Sequence, residues 1–225
     1  MSHLKGQDPR IVIARRCAQE LRDGEVVNLG IGIPTMTANY LPTGVNVIFH
    51  SENGCFGFGP KPTTLLADSD ISNASTEPVT LLPGAAIMDL ATSLGAMRNG
   101  YIATSVLGGL EVDQEGNLAN WAYQRQGKWW PGIGGGMDLC YGVPRIIAAL
   151  QHTDKHGHSK VKKRTNLPLT GKNCVTTIVT DHAVFDVTAD GLMLREVYPG
   201  LTVANIRSIT EAAFEVSPNF REMQF

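Results

Sequence analysis

Three stretches of the chain carry residue types and spacings that could do chemistry. In Ser51-Glu52-Asn53-Gly54 a carboxylate ends an apolar run and meets a loop of glycines and aromatics, Cys55-Phe-Gly-Phe-Gly-Pro60. A glutamate on such a rim is either a solvated turn residue or a held nucleophile or base. Gly132-Ile-Gly-Gly-Gly-Met-Asp138 offers the backbone amides of Gly134, Gly135 and Gly136 with no side chains in the way. Such a loop can stabilise an oxyanion; the alternative is a hairpin or helix-entry loop with Asp138 as its N-cap. Asn28-Leu-Gly-Ile-Gly-Ile-Pro34 leaves an apolar run and enters a helix-like pattern, which can aim the amides of Gly30 and Gly32 at an anion. The third glycine of a dinucleotide fingerprint is missing there. Asn28 either orients a carboxylate or caps a turn.

Other polar and aromatic groups read differently. His152, Asp154, His156 and His158 have the composition of a ligand cluster, but they sit in a polar stretch with Lys155 and Gly157. That suits an exposed loop, and no metal site is expected. Lys160, Lys162, Lys163 and Arg164 read as a solvated basic face. Trp129 and Trp130, just before the glycine loop, either wall an acyl pocket or pack in the core. Neither a G-x-S-x-G elbow nor a Walker loop occurs.

To act, these groups need strands that end beside them. Short buried strands are predicted over Val26 to Leu29, Val45 to Phe49, Val79 to Leu82, Ile102 to Leu107, Ile146 to Leu150 and Val175 to Thr180. Helices are predicted after the Asp8-Pro9 start, with Ile11, Ala14, Ala18 and Leu21 on one face and Gly24 as the stop. Further helices are predicted over Pro34 to Leu41, Ala86 to Met97 and Thr202 to Phe214. Buried strands alternating with helices imply an α/β fold: an open, largely parallel sheet with flanking helices. The glycine clusters follow strands, where an open sheet binds its ligands.

Composition bounds the rest. The chain has 225 residues, 43% hydrophobic and 18% charged, which supports one domain over residues 1–225. Nineteen basic against 21 acidic residues give a net charge of −2, so no broad basic field attracts nucleic acid. Cys17, Cys55, Cys140 and Cys174 form no C-x-x-C pair, which favours free thiols. No run of the sequence fits a membrane span or a signal peptide, and the cytoplasm is the expected location.

The ordered set of motifs resembles the β (B-type) half of family I CoA-transferases, the 3-oxoacid, acetate/acetoacetate and 3-oxoadipate type. It comprises Asn28 to Pro34, Ser51 to Gly54, Leu81-Leu-Pro-Gly-Ala85, Val106-Leu-Gly-Gly109 and Asn117-Leu-Ala-Asn-Trp121. It continues through Gly134-Gly-Gly-Met-Asp-Leu139, Leu167-Pro-Leu-Thr-Gly171 and Ala183-Val-Phe-Asp186. The resemblance implies a sugar-isomerase/CoA-transferase-like fold and an A-type (α) partner, in a heterotetramer or larger assembly. It implies Glu52 as covalent nucleophile, Gly135 as oxyanion donor, and Asn28 in the active site. Gly30, Gly32, Asn53, Gly54, Gly134, Gly136, Trp129 and Trp130 are expected to contact CoA or substrate. Coenzyme A is then a substrate, carried as a covalent glutamyl thioester between an acyl-CoA and a free carboxylic acid, with no permanently bound cofactor. The alternatives are a CoA-ester hydrolase on the same scaffold and a non-catalytic anion or sugar-phosphate sensor using Gly30 and Gly32. Two stretches depart from the family pattern. One is Trp121-Ala-Tyr-Gln-Arg-Gln-Gly-Lys-Trp-Trp130, expected to set acyl choice; the other is Asn73-Ala-Ser-Thr76, where the family usually has Asn-Ala-Gly-Lys or Asn-Ala-Gly-Gly.

Overall fold

In the computed structural model, which describes residues 6–225, strand-forming runs alternate with short helices. The first half holds α1 (Pro9–Ala18), β1 (Val26–Leu29), α2 (Ile33–Met36), a 3-10 turn (Thr37–Tyr40), β2 (Ile48–Ser51), β3 (Cys55–Phe58) and β4 (Leu81–Ile87). Then come α3 (Leu90–Arg98), β5 (Thr104–Gly108), β6 (Glu111–Asp113), β7 (Leu118–Ala119), β8 (Ala122–Arg125), β9 (Lys128–Pro131) and α4 (Gly136–Gly142). The rest is β10 (Arg145–Ala149), β11 (Val161–Lys162), β12 (Val175–Val179), β13 (Ala183–Thr188), β14 (Gly191–Val197), α5 (Val203–Ile209) and β15 (Phe214–Glu222).

The main sheet has the order β15-β14-β13-β12-β10-β5-β1-β2-β3-β4. Its middle, β12-β10-β5-β1-β2, is parallel throughout, and antiparallel pairings extend it on both sides. The middle strands are buried almost end to end because both faces are covered, as parallel sheets require. Val27, Val106, Ile146, Ile147 and Ile178 carry that core. The Asp8 side chain caps α1 by accepting from Arg10 N–H at 2.8 Å. Buried Arg16 then ties the helix to β14 through Glu196 at 2.5 Å.

Four boundaries differ most from the sequence reading. The second strand starts three residues later than Val45 and ends two later than Phe49, which puts Ser51 at its end and Glu52 at its exit. The strand expected to finish at Leu82 continues to Ile87, so the next helix starts at Leu90, where Asp89 accepts from Thr92 N–H at 3.0 Å. The last helix stops at Ile209, because Phe214 pairs with Leu192 and packs edge-on against Phe185 as the first residue of β15. The first helix also ends at Ala18 rather than near Gly24, although Leu21 remains buried beyond it.

Candidate active site

Glu52 occupies the tight turn between β2 and β3. The Gly54 N–H donates to the Ser51 carbonyl at 2.9 Å, closing the turn around Glu52 and Asn53. Only glycine fits at 54: its φ is +115°, and a Cβ would stand 2.1 Å from the Met88 carbonyl oxygen. The turn therefore presents the Glu52 side chain at the carboxyl end of a parallel strand.

The glycine loop closes over that carboxylate. A Cβ on Gly134 would stand 2.6 Å from Glu52 Oε1, and one on Gly135 2.9 Å from Oε2. Bare backbone is what lets the carboxylate approach, and the Gly135 N–H donates to it. Burial pushes the Glu52 pKa up from its ordinary value; the Gly135 N–H opposes this and the nearby Asp138 charge adds to it. Asp138 is not the N-cap: Gly135 takes that place, and Asp138 lies in the first turn of α4, held by Arg98 Nε at 2.5 Å.

Behind the turn runs a buried chain of hydrogen bonds with one consistent direction. Ser105 Oγ donates to Asn28 Oδ1 at 3.0 Å, and Asn28 Nδ2 lies 3.1 Å from His50 Nδ1. His50 Nε2 lies 2.9 Å from Ser93 Oγ, which donates to the Glu52 main-chain carbonyl at 2.8 Å. Because the Asn28 Nδ2 group can only donate, His50 must accept at Nδ1 and carry its proton at Nε2. Burial lowers its pKa to about 4, so the neutral ring is the stable form at neutral pH. Strand register explains the row: Asn28 pairs with both His50 and Ser105 in the parallel sheet. Asn28 thus sits behind the Glu52 turn, with its amide engaged by His50 and Ser105.

A cavity of about 420 Å³ opens at the carboxyl ends of β1, β2, β5 and β10. Of the residues expected at the site, Gly30, Glu52, Gly134 and Gly136 line it. Gly135 meets it through its bond to Glu52. Asn53 is turned away and donates to the Ser72 carbonyl at 2.9 Å. Gly54 serves the turn. The expected anion site at Gly30 and Gly32 is not built: Gly30 N–H continues the sheet ladder to Val106 O at 2.9 Å, and Gly32 N–H meets Ser75 Oγ at 3.4 Å. Ser75 belongs to the divergent Asn73–Thr76 stretch, which therefore touches the first glycine loop.

Trp129 and Trp130 neither line the cavity nor enter the core. They lie on β9 of a two-stranded hairpin, opposite Gln124 and Tyr123, and are 49% and 55% exposed. The hairpin turns at Gln126-Gly127, both with positive φ, and leads directly into the glycine loop. His152 is buried between the hydroxyls of Thr180 and Thr210, while His156 and His158 are exposed, so burial separates this sequence cluster. Among the described residues no group of His, Cys, Asp or Glu is arranged to hold a metal. A larger cleft, about 690 Å³, lies beyond β12 with an acidic lining of Glu115, Asp190 and Glu215. Sequence reasoning missed His50, Ser93 and Lys160 as site residues; a histidine inside an otherwise apolar strand was the available signal for the first.

The site is thus a carboxylate set against the Gly134–Gly135 backbone at the strand ends of an open α/β sheet, an arrangement able to stabilise an oxyanion. Residues 11–208 match the Coenzyme A transferase family. The chain is 48% identical over 210 residues to the beta half of the acetate CoA-transferase of Escherichia coli, covering 93% of this chain and 95% of that protein. It is 44% identical to the B-type half of the probable succinyl-CoA:3-ketoacid coenzyme A transferase of Bacillus subtilis, covering 94% of this chain and 97% of that one. The solved acyl-CoA transferase YdiF of E. coli O157:H7 superposes with a TM-score of 0.74 at 22% identity, over 96% of this chain. This chain spans only 43% of that longer one, and the likeness speaks to the fold alone. The chain belongs to the coenzyme A transferase family, whose members are enzymes that transfer CoA. No helix among the described residues is long and apolar enough to cross a membrane.

Proposed function

We propose that this chain is the catalytic B-type half of a CoA-transferase and that Glu52 carries the reaction covalently. The observation behind the reading is the Glu52 carboxylate seated against Gly134 and Gly135, with the Gly135 N–H already donating to it. Ionised Glu52 attacks the acyl-CoA carbonyl; the C–S bond breaks, CoA leaves as thiolate, and an acyl-glutamyl anhydride remains. The thiolate attacks the Glu52 carbonyl carbon, the anhydride C–O bond breaks, and the first acid departs as carboxylate. A second carboxylate then reverses both steps and leaves as its acyl-CoA. No proton moves, so no general base is needed, and this ping-pong sequence uses one carboxylate throughout.

Each step passes through a tetrahedral oxyanion beside the glycine loop, where one preorganised donor is worth about 2.7–4 kcal/mol. We assign the missing part of the CoA site to an A-type partner, in keeping with relatives named as the beta or B-type halves of their enzymes. Exposed Ile31, Met137 and Tyr141 are apolar groups left for that partner to cover. All four cysteines are free thiols, which fits the cytoplasm. The test is to incubate the two-chain complex with acyl-CoA and map peptides by mass. CoA mass on the Glu52 peptide is expected; normal turnover by Glu52→Ala would refute the mechanism. Continued release of free acid and free CoA without an acceptor, beyond the one equivalent of acid that loads each Glu52, would mark a hydrolase instead.

A further inference from the structure

The cavity holds two charged side chains, Glu52 and Lys160, among walls that include Ile33, Leu107, Leu139 and Leu150. Lys160 is set by its own backbone: its N–H donates to the His152 carbonyl at 2.9 Å, and its carbonyl accepts from Val112 N–H at 3.0 Å. Its ammonium donates to the Gly109 carbonyl at 3.2 Å, a single neutral acceptor for a group with three N–H bonds. The cation is partly dehydrated. Burial draws its pKa below the ordinary lysine value, and the opposing charges are those of Asp181, Asp154 and Glu111. The charge that bears on Glu52 is Asp138. Both line one cavity from different elements, Glu52 at the turn between β2 and β3 and Lys160 just before β11, so an acyl group held at Glu52 shares that space with the ammonium.

We propose that Lys160 reads the far end of the acyl group by binding an oxygen there. That oxygen is supplied by the second carboxylate of a dicarboxylic acid or the carbonyl of a 3-oxoacid. The assignment rests on the reading that acids react at Glu52. An unsubstituted chain of the same length would leave the ammonium dehydrated and without its second acceptor, which is where discrimination arises.

The experiment uses the two-chain complex with acetyl-CoA as donor and three four-carbon acceptors: butyrate, acetoacetate and succinate. The wild type is expected to prefer acetoacetate or succinate over butyrate by at least about tenfold. Lys160→Met is expected to cut kcat/KM for the preferred acid by about 10- to 100-fold while changing butyrate by less than about threefold. Lys160→Arg, which keeps the charge, should retain part of the preference. Loss confined to succinate identifies the carboxylate as the group read, and loss with acetoacetate identifies the 3-oxo carbonyl. A wild type that prefers butyrate overturns the proposal without any variant, and so does a Lys160→Met that slows all three acids alike. Selectivity that depends on Lys160 without CoA mass on Glu52 would keep this assignment and sink the covalent one.

Discussion

Ser93 joins the buried interior to the Glu52 turn: its hydroxyl donates to the Glu52 main-chain carbonyl at 2.8 Å and lies 2.9 Å from His50 Nε2. The bond fixes the backbone of the residue proposed to react, without touching its carboxylate. Ser93 is fully buried on α3, and Asp89 caps the same helix, so the donor is held from two sides. A turn free to rock would spoil the alignment of Glu52 with the Gly135 N–H, and small misplacements at a reacting centre are costly. Ser93→Ala is expected to lower kcat about tenfold or more with little change in KM, and Ser93→Thr to restore much of it. An equal loss in the Thr variant would mean that packing, not the hydroxyl, matters.

Glu52 itself should trade stability for reactivity. Burial raises its pKa, so ionisation is less favourable folded than unfolded, and the charge costs stability at neutral pH. Glu52→Gln is expected to be inactive yet to melt no lower than the wild type at pH 7. As pH falls and the wild-type carboxyl protonates, that cost disappears and the two melting curves should converge. In turn, kcat/KM of the wild type should rise with pH to a plateau whose midpoint lies above the usual glutamate value of 4.5. A midpoint at or below that value would contradict the buried setting.

At Gly135 the demand is for the absence of a side chain. A Cβ there would stand 2.9 Å from the Glu52 carboxylate and displace it from the backbone amide. Gly135→Ala should therefore reduce kcat by about 100- to 1,000-fold, the usual result of losing one oxyanion donor. The circular dichroism spectrum should stay unchanged, because the atoms that a Cβ would meet belong to the Glu52 side chain, which can move aside.

Two buried histidines set the acid limit of stability. Burial lowers the pKa of His50 to about 4 and that of His152 to about 3, from an ordinary 6.5. Below pH 6.5 the unfolded chain binds protons that the folded chain refuses, so stability falls as pH drops. The loss runs down to about pH 4 for His50 and about pH 3 for His152, at up to about 1.4 kcal/mol per pH unit for each. Urea midpoints from about pH 7.5 to about pH 4.5 should show this slope in the wild type and a shallower one in His50→Gln. Equal slopes would assign the acid sensitivity elsewhere.

Much of this was legible in the residues, and the gaps have physical causes. Strands β1, β5, β10 and β12 could be located to within two residues because fully buried parallel strands read as unbroken apolar runs, and glycine clusters marked where backbone must come close to something. Residue type and position singled out Glu52 and the glycine loop, while their roles as nucleophile and oxyanion donor are what the family resemblance implies. Register was not legible: nothing local says that Asn28 lies beside His50 and Ser105, since that pairing is made by residues far apart in sequence. The same holds for Lys160, which reads as one of a basic run yet turns into the cavity because strand β6 holds its backbone. Helix ends at 86 and 214 were misplaced where sheet pairing outweighed helix propensity.

The Trp129–Trp130 hairpin gives the last test. Sequence alone allowed three roles for the indoles, an acyl-pocket wall, core packing or a subunit interface. Both rings stand about half exposed, outside the cavity lining, on a hairpin that delivers the chain to Gly132. The Gly132 N–H donates to the Trp121 carbonyl at 2.6 Å across its base, which ties the hairpin to the start of the glycine loop. Removing either indole should then leave the melting temperature of the isolated chain within about 2 °C, as for surface substitutions worth under about 0.5 kcal/mol. In the assembled enzyme, the same variants should leave the ratio of kcat/KM between short and longer acyl acceptors unchanged, because the rings stand outside the cavity lining. A change in that ratio of about tenfold or more would mean that the hairpin folds over the cavity mouth when the partner and substrate are bound, and would return both tryptophans to the acyl site.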